Sequence, residues 1–108
     1  MKKGEIWFVD IPQGSGHEQT GLRPVIVLSD VEADIVIVVP FTSNLQALRF
    51  PHTVEAEPSA KNGLKTTSVA LVFQLRAIDK RRLTERIGDL EEDTLKEVER
   101  IIKAILKL

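Results

Sequence analysis

Cysteine and tyrosine are absent from this 108-residue chain, and tryptophan, methionine and histidine are nearly so. Without cysteine there is neither a disulfide framework nor a thiolate metal site. The two histidines, His17 and His52, are too few for a histidine-based metal cage. One tryptophan and four phenylalanines supply every aromatic ring, so base stacking has few places to occur. No apolar run approaches the ~18 residues of a membrane-spanning helix, and Met1-Lys2-Lys3-Gly4-Glu5 lacks the apolar stretch of a signal peptide. The expected compartment is therefore the cytoplasm, with no membrane partner. A net charge of −1 argues against broad, nonspecific binding to nucleic acid.

What is present is the composition of one small globular domain spanning 1–108, 43% hydrophobic and 29% charged. Residues 6–10 form a short apolar strand candidate, closed by Pro12 and Gly14. Residues 13–21 hold three glycines and no apolar side chain, which predicts a long flexible loop. Two β-branched runs, 25–29 and 35–41, flank a turn at 30–34 and read as an antiparallel hairpin at the centre of a sheet. Residues 53–57, bounded by prolines, and 67–74, after the Lys61-Asn62-Gly63 turn, are further strands. The expectation is a mainly β fold, a small bent barrel of about five to seven short strands over residues 3–86. The period then changes. Leu95, Val98, Ile101, Ile102, Ile105 and Leu106 form one apolar stripe of a C-terminal helix at about 90–107, with Asp89 as N-cap and Glu92 completing a capping box.

Two polar inserts stand out where apolar runs meet loops: Gly16-His17-Glu18-Gln19-Thr20-Gly21-Leu22-Arg23-Pro24 and Pro40-Phe41-Thr42-Ser43-Asn44. The charge is also uneven. Residues 61–86 carry seven basic side chains against Asp79 and Glu85, whereas six acids face four bases from Asp89 onward. A basic middle beside an acidic helix can serve a polyanion without a basic total, and it can equally be a solvated mixed-charge surface.

Gly4-Glu5-Ile6-Trp7, Gly16-His17-Glu18-Gln19, Arg23-Pro24-Val25, Val38-Val39-Pro40-Phe41-Thr42-Ser43 and Gln74-Leu75-Arg76-Ala77-Ile78-Asp79 follow one another in an order that resembles the MazF/PemK family of toxin endoribonucleases. The resemblance covers roughly residues 3–86. It implies an SH3-like barrel plus helix, acting as a homodimer. It also implies metal-independent cutting of single-stranded messenger RNA at a short sequence, to 2′,3′-cyclic phosphate and 5′-hydroxyl ends. No cofactor is expected, and the implied protein partner is an antitoxin whose acidic disordered tail occupies the RNA groove.

RNA carries its own nucleophile, the 2′-hydroxyl beside the scissile phosphate, so the protein has to align it, move protons and stabilise the charged phosphorus. Arg23 suits the last task, because a guanidinium forks onto two phosphate oxygens and stays charged. Taken alone, it also fits a surface arginine paired with Glu18 or Glu5. Thr42, and after it Ser43, can donate to a phosphate oxygen or orient the 2′-hydroxyl, or can simply cap a turn. His17 is the one motif side chain that titrates near neutrality, a general acid or base or a loop scaffold. Glu18, Gln19, Ser43, Asn44, Gln74 and Arg76 complete the candidate RNA-binding set.

One departure bears on activity. Most family members keep an acid directly before the glutamine of Gln-x-Arg-x-Ile-Asp, and the PemK-like branch adds a basic residue shortly before it; here these positions are Phe73 and Leu71. Phe73 is then core packing or a stacking platform for an unpaired base. The departure keeps open a non-catalytic RNA- or antitoxin-binding protein of the same fold. A gyrase-poisoning toxin of this barrel class fits less well, because such proteins end in Trp-Gly-Ile and this chain ends Leu106-Lys107-Leu108.

Overall fold

The computed structural model describes residues 1–11 and 21–108. Strands β1 (Glu5–Ile11), β2 (Gly21–Val31) and β3 (Ile35–Thr42) form an antiparallel meander. β4 (Thr53–Ala56), β5 (Ser68–Leu71), β6 (Arg76–Asp79) and β7 (Leu83–Asp89) complete it, followed by helix α1 (Glu92–Leu106). The strand order is β4-β5-β3-β2-β1-β7, with β6 also paired to β3. The central hairpin read from the sequence is therefore present. Its turn is tight enough that Ala33 and Asp34 both take positive φ, 67° and 63°.

β3 changes partner halfway along. Residues 35–38 pair with β6, 35–40 pair with β2, and Phe41 and Thr42 pair instead with Ala70 and Val69 of β5. The β2–β3 ladder stops at Val25↔Pro40. Pro24 and Pro40 thus lie at its end, where a missing N–H is least costly. Beyond them β2 stays with β1, Arg23 facing Val9 across the pair, while β3 bends away. That divergence opens the sheet.

Both faces of β2 are covered, which explains why residues 25–28 are apolar without alternation. Val25 and Val27 join Val9, Val36, Val38 and Ile78 on one side. Ile26 joins Ile6, Val39, Phe41, Leu90 and the helix residues Val98 and Ile101 on the other. Leu95, Ile102 and Ile105 pack partly against that cluster, and Leu106 at the end of the stripe is exposed.

Two local expectations fail for stated reasons. The N-cap of α1 is Glu91 rather than Asp89, with no side-chain capping bond. Asp89 closes β7 and spends its carboxylate on Arg86 at 2.6 Å. The strand expected over 67–74 ends at Leu71 and continues as a 3-10 turn, η2 (Val72–Gln74). A second such turn, η1 (Leu45–Arg49), follows β3, capped by the Asn44 side-chain Oδ1 accepting from Gln46 N–H at 3.1 Å. No helix among the described residues is long and apolar enough to cross a membrane.

Candidate active site

The opening between β2 and the end of β3 is a cavity of about 250 Å³. Leu22, Arg23 and Pro24 form one wall, Phe41, Thr42 and Ser43 the opposite one, and residues 63–66 close the end. Arg23 and Thr42, from distant parts of the chain, therefore share one space. Arg23 sits within β2 rather than at the end of a loop, so pairing with Val9 fixes its backbone. Thr42 is 7% exposed, and its hydroxyl oxygen accepts the Asn44 N–H at 3.2 Å. Its own proton remains available to donate.

Lys65, Thr66 and Ser68 line the same cavity. The sequence had marked Lys65 only as one charge in a basic segment. What brings it in is a buried asparagine. Asn62, fully buried, accepts from Ser59 N–H at 3.0 Å and Leu64 N–H at 2.9 Å, and its amide donates to the Glu57 carbonyl at 2.8 Å and to Glu91 at 2.9 Å. Ser59 Oγ donates to the other Glu91 oxygen at 2.6 Å. Burial raises the Glu91 pKa, but the hydrogen bonds from Ser59 and Asn62 outweigh it and the carboxyl lies below its ordinary value. Thus the residue at the start of α1 anchors a turn instead of capping its helix. Gly63 (φ +71°) completes that turn; a Cβ there would meet the Ile87 carbonyl oxygen at 2.0 Å.

Thr42 is shared with a second cavity of about 370 Å³, lined by Asn44, Gln46, Arg49, Phe50, Leu71, Phe73 and Gln74. Phe73 and Gln74 in turn border a third of about 370 Å³ that includes Arg76. The three cavities form one groove. Of the expected site, Arg23, Thr42 and Ser43 meet in the first cavity, Asn44 and Gln74 in the second, and Arg76 in the third. His17, Glu18 and Gln19 lie outside the described residues, as do residues 13–20 of the loop expected over 13–21, whose last residue, Gly21, opens β2. His52 is exposed at positive φ, 64°, and lines none of the three. Leu71 is buried, but Phe73 is 42% exposed, so η2 swings it out and core packing is excluded.

The charge of the groove is one-sided. Arg23, Lys65, Arg49 and Arg76 line it, and among the described residues no carboxylate does. In a chain of net charge −1 this is a local separation of charge, produced by folding. Guanidinium, ammonium and hydroxyl groups lining one cleft suit an anionic ligand with several acceptor oxygens. Among the described residues no group of three His, Asp or Glu side chains could hold a metal ion.

Fold and groove together define a small, mainly β protein with a cationic cleft at a strand divergence. The profile of a family described as PemK-like, MazF-like toxin of type II toxin-antitoxin system matches residues 2–106, and the chain belongs to that family. It is 33% identical over 112 residues to the endoribonuclease EndoA of Bacillus subtilis (strain 168), spanning all of this chain and 96% of that protein. The solved structure of MazF from Deinococcus radiodurans (form I) superposes with a TM-score of 0.83 at 26% identity, covering 100% of this chain and 97% of that one. A MazE–MazF structure from the same organism (form II) matches with a TM-score of 0.75 at 27% identity, over 100% and 96% of the two chains.

Proposed function

We propose that this protein is the endoribonuclease toxin of a toxin–antitoxin pair, cutting single-stranded messenger RNA at a short sequence without a metal. The carrying observation is the convergence of Arg23, Thr42 and Ser43 on one cavity within a groove whose described lining has four cations and no acid. Its relatives' names, EndoA and MazF, support the same class of reaction. The scissile phosphate lies in the first cavity. Arg23 forks onto its non-bridging oxygens and stabilises the charge that grows as the 2′-oxygen attacks. Thr42 donates from the opposite wall, and Ser43 and Lys65 add donors. The products are a 2′,3′-cyclic phosphate and a 5′-hydroxyl. Proton transfer falls to His17, since the described groove lining holds no carboxylate or imidazole. Glu18 and Gln19 pin the loop or meet bases.

The acting form is a homodimer in the cytoplasm. Its inhibitor is an antitoxin whose acidic disordered tail takes the place of RNA along the cations, in line with the family description and the MazE–MazF assembly of a relative. Purified protein incubated with mixed single-stranded RNA in excess EDTA is expected to leave cyclic phosphate ends at one short sequence. Arg23→Ala should slow cutting on the order of a hundredfold with the fold intact by circular dichroism. Absence of cutting, or cutting that EDTA abolishes, would sink this mechanism. RNA binding of ordinary strength without cutting favours the second reading, a non-catalytic binder of the same fold, which the apolar Leu71 and Phe73 support.

A further inference from the structure

Phe50 and Phe73 are 49% and 42% exposed, and neither belongs to the core. Their ring centroids lie 6.2 Å apart at an interplanar angle of 59°, the tilted geometry that leaves ring faces open. The Arg49 guanidinium sits 5.5 Å over the Phe50 ring and occupies one of its faces. Both rings stand on held backbone. Phe50 N–H donates to the Ala47 carbonyl at 3.0 Å, and the Phe50 carbonyl accepts from Thr53 Oγ1 at 3.1 Å. The Val72 N–H, at the start of η2, donates to the carbonyl of His52, two residues after Phe50, at 3.1 Å.

Resting on the RNA reading above, we propose that Phe73 is the stacking platform for an unpaired base next to the scissile phosphate. Phe50 buttresses the platform edge-on, with Arg49 behind it. The occupant is a nucleobase for three reasons. The rim carries the side-chain amides of Asn44, Gln46 and Gln74, the group type that meets a base edge; Asn44 Oδ1 also holds the Gln46 N–H. Thr42 borders both this cavity and the one holding Arg23, so a phosphate in one places its neighbouring base at the other. And the second and third cavities, both bordered by Phe73, each carry a cation, Arg49 in one and Arg76 in the other, as suits a sugar–phosphate strand.

The probe is a pool of fluorescein-labelled, randomised single-stranded 2′-O-methyl ten-mers, which bind without being cut, beside an abasic oligomer of equal length. Binding is read by fluorescence anisotropy. The wild-type protein is expected to prefer the base-bearing pool. Phe73→Ala should lose about tenfold in affinity for that pool and nothing for the abasic one, while Phe73→Trp retains binding. Phe73→Leu, apolar but without a π face, should behave as the alanine variant. Wild-type preference for bases that survives both Phe73→Ala and Phe73→Leu overturns the platform and leaves the RNA reading standing. Loss of affinity for a partner protein with RNA affinity unchanged assigns the patch to a protein contact and overturns it too. Binding of neither pool by the wild type, with no cutting of mixed RNA, removes the RNA reading itself.

Discussion

The hydroxyl of Thr42 works in two directions. Its oxygen accepts the Asn44 N–H at 3.2 Å, holding the turn that leads into η1, and its own proton can rotate toward the first cavity, which Thr42 lines. Valine has nearly the same shape and can do neither. Thr42→Val should therefore cost about 1 kcal/mol of stability through the abandoned N–H and lower the cutting rate by roughly tenfold or more. Thr42→Ser keeps both roles and should stay within about threefold of wild type. Denaturant midpoints and single-turnover rates on one RNA separate the two effects. A valine variant cutting at the wild-type rate would take Thr42 out of the reaction.

At the scale of elements, the cavity wall holding Lys65 depends on a turn pinned between β7 and α1. Asn62 makes four hydrogen bonds there with no exposed surface, and its removal would leave the Ser59 and Leu64 N–H groups without that partner. Asn62→Ala is expected to lower stability by ~2–3 kcal/mol, a fall in Tm on the order of 10 °C. Acid dependence supplies a second readout. Because the Glu91 carboxyl is depressed below its ordinary 4.5 in the folded state, its contribution is present above that value and lost as pH falls through the folded pKa. Taking away the Asn62 donor should shrink this acid loss. An alanine variant with unchanged Tm and unchanged acid slope would show that the turn stands without the network. None of this was legible locally: the sequence marked the turn but assigned the cap of α1 to Asp89. The partners of Asn62 and Glu91 lie 29 residues apart. The central hairpin and the helical stripe were legible because each is a run whose period is set by its own burial. β6 and β7 were not, since only Ile78 of β6 is fully buried and no residue of β7 is, so neither leaves an apolar period to read. Arg23 and Thr42 could be picked out by type and motif. Phe73 was marked by its departure from the motif, as packing or as a stacking platform, but its pairing with Phe50 and the arrival of Lys65 could not be read, because long-range packing alone brings them to the groove.

For the molecule as a whole, the near-neutral total conceals where the charges go. Outside the groove, several acids are matched with bases: Asp30 with Lys80 at 2.6 Å, Asp79 with Arg81 at 2.7 Å, Glu99 with Lys3 at 2.6 Å, and Glu97 with Arg100. The Arg81 fork holds Asp79 down to about 2, so this pair stays ionised at any working pH. Exposed pairs of this kind add little stability, but they cancel much of their own long-range field, whereas the groove lining gathers four cations and, among the described residues, no carboxylate. A strand of RNA should feel four cations there rather than a net charge of −1. Each phosphate neutralised on a single strand contributes about −0.7 to the slope of log K against log salt. The expected slope for an uncleavable 2′-O-methyl RNA is therefore about −3 if all four cations meet phosphates. Lys65→Gln should flatten it by ~0.7, whereas Arg100→Gln, on the helix and already matched by Glu97, should leave it unchanged. A slope near zero would mean that the groove is not a phosphate track. An equal change from Arg100→Gln would move the electrostatic footprint from the strand divergence to the helix.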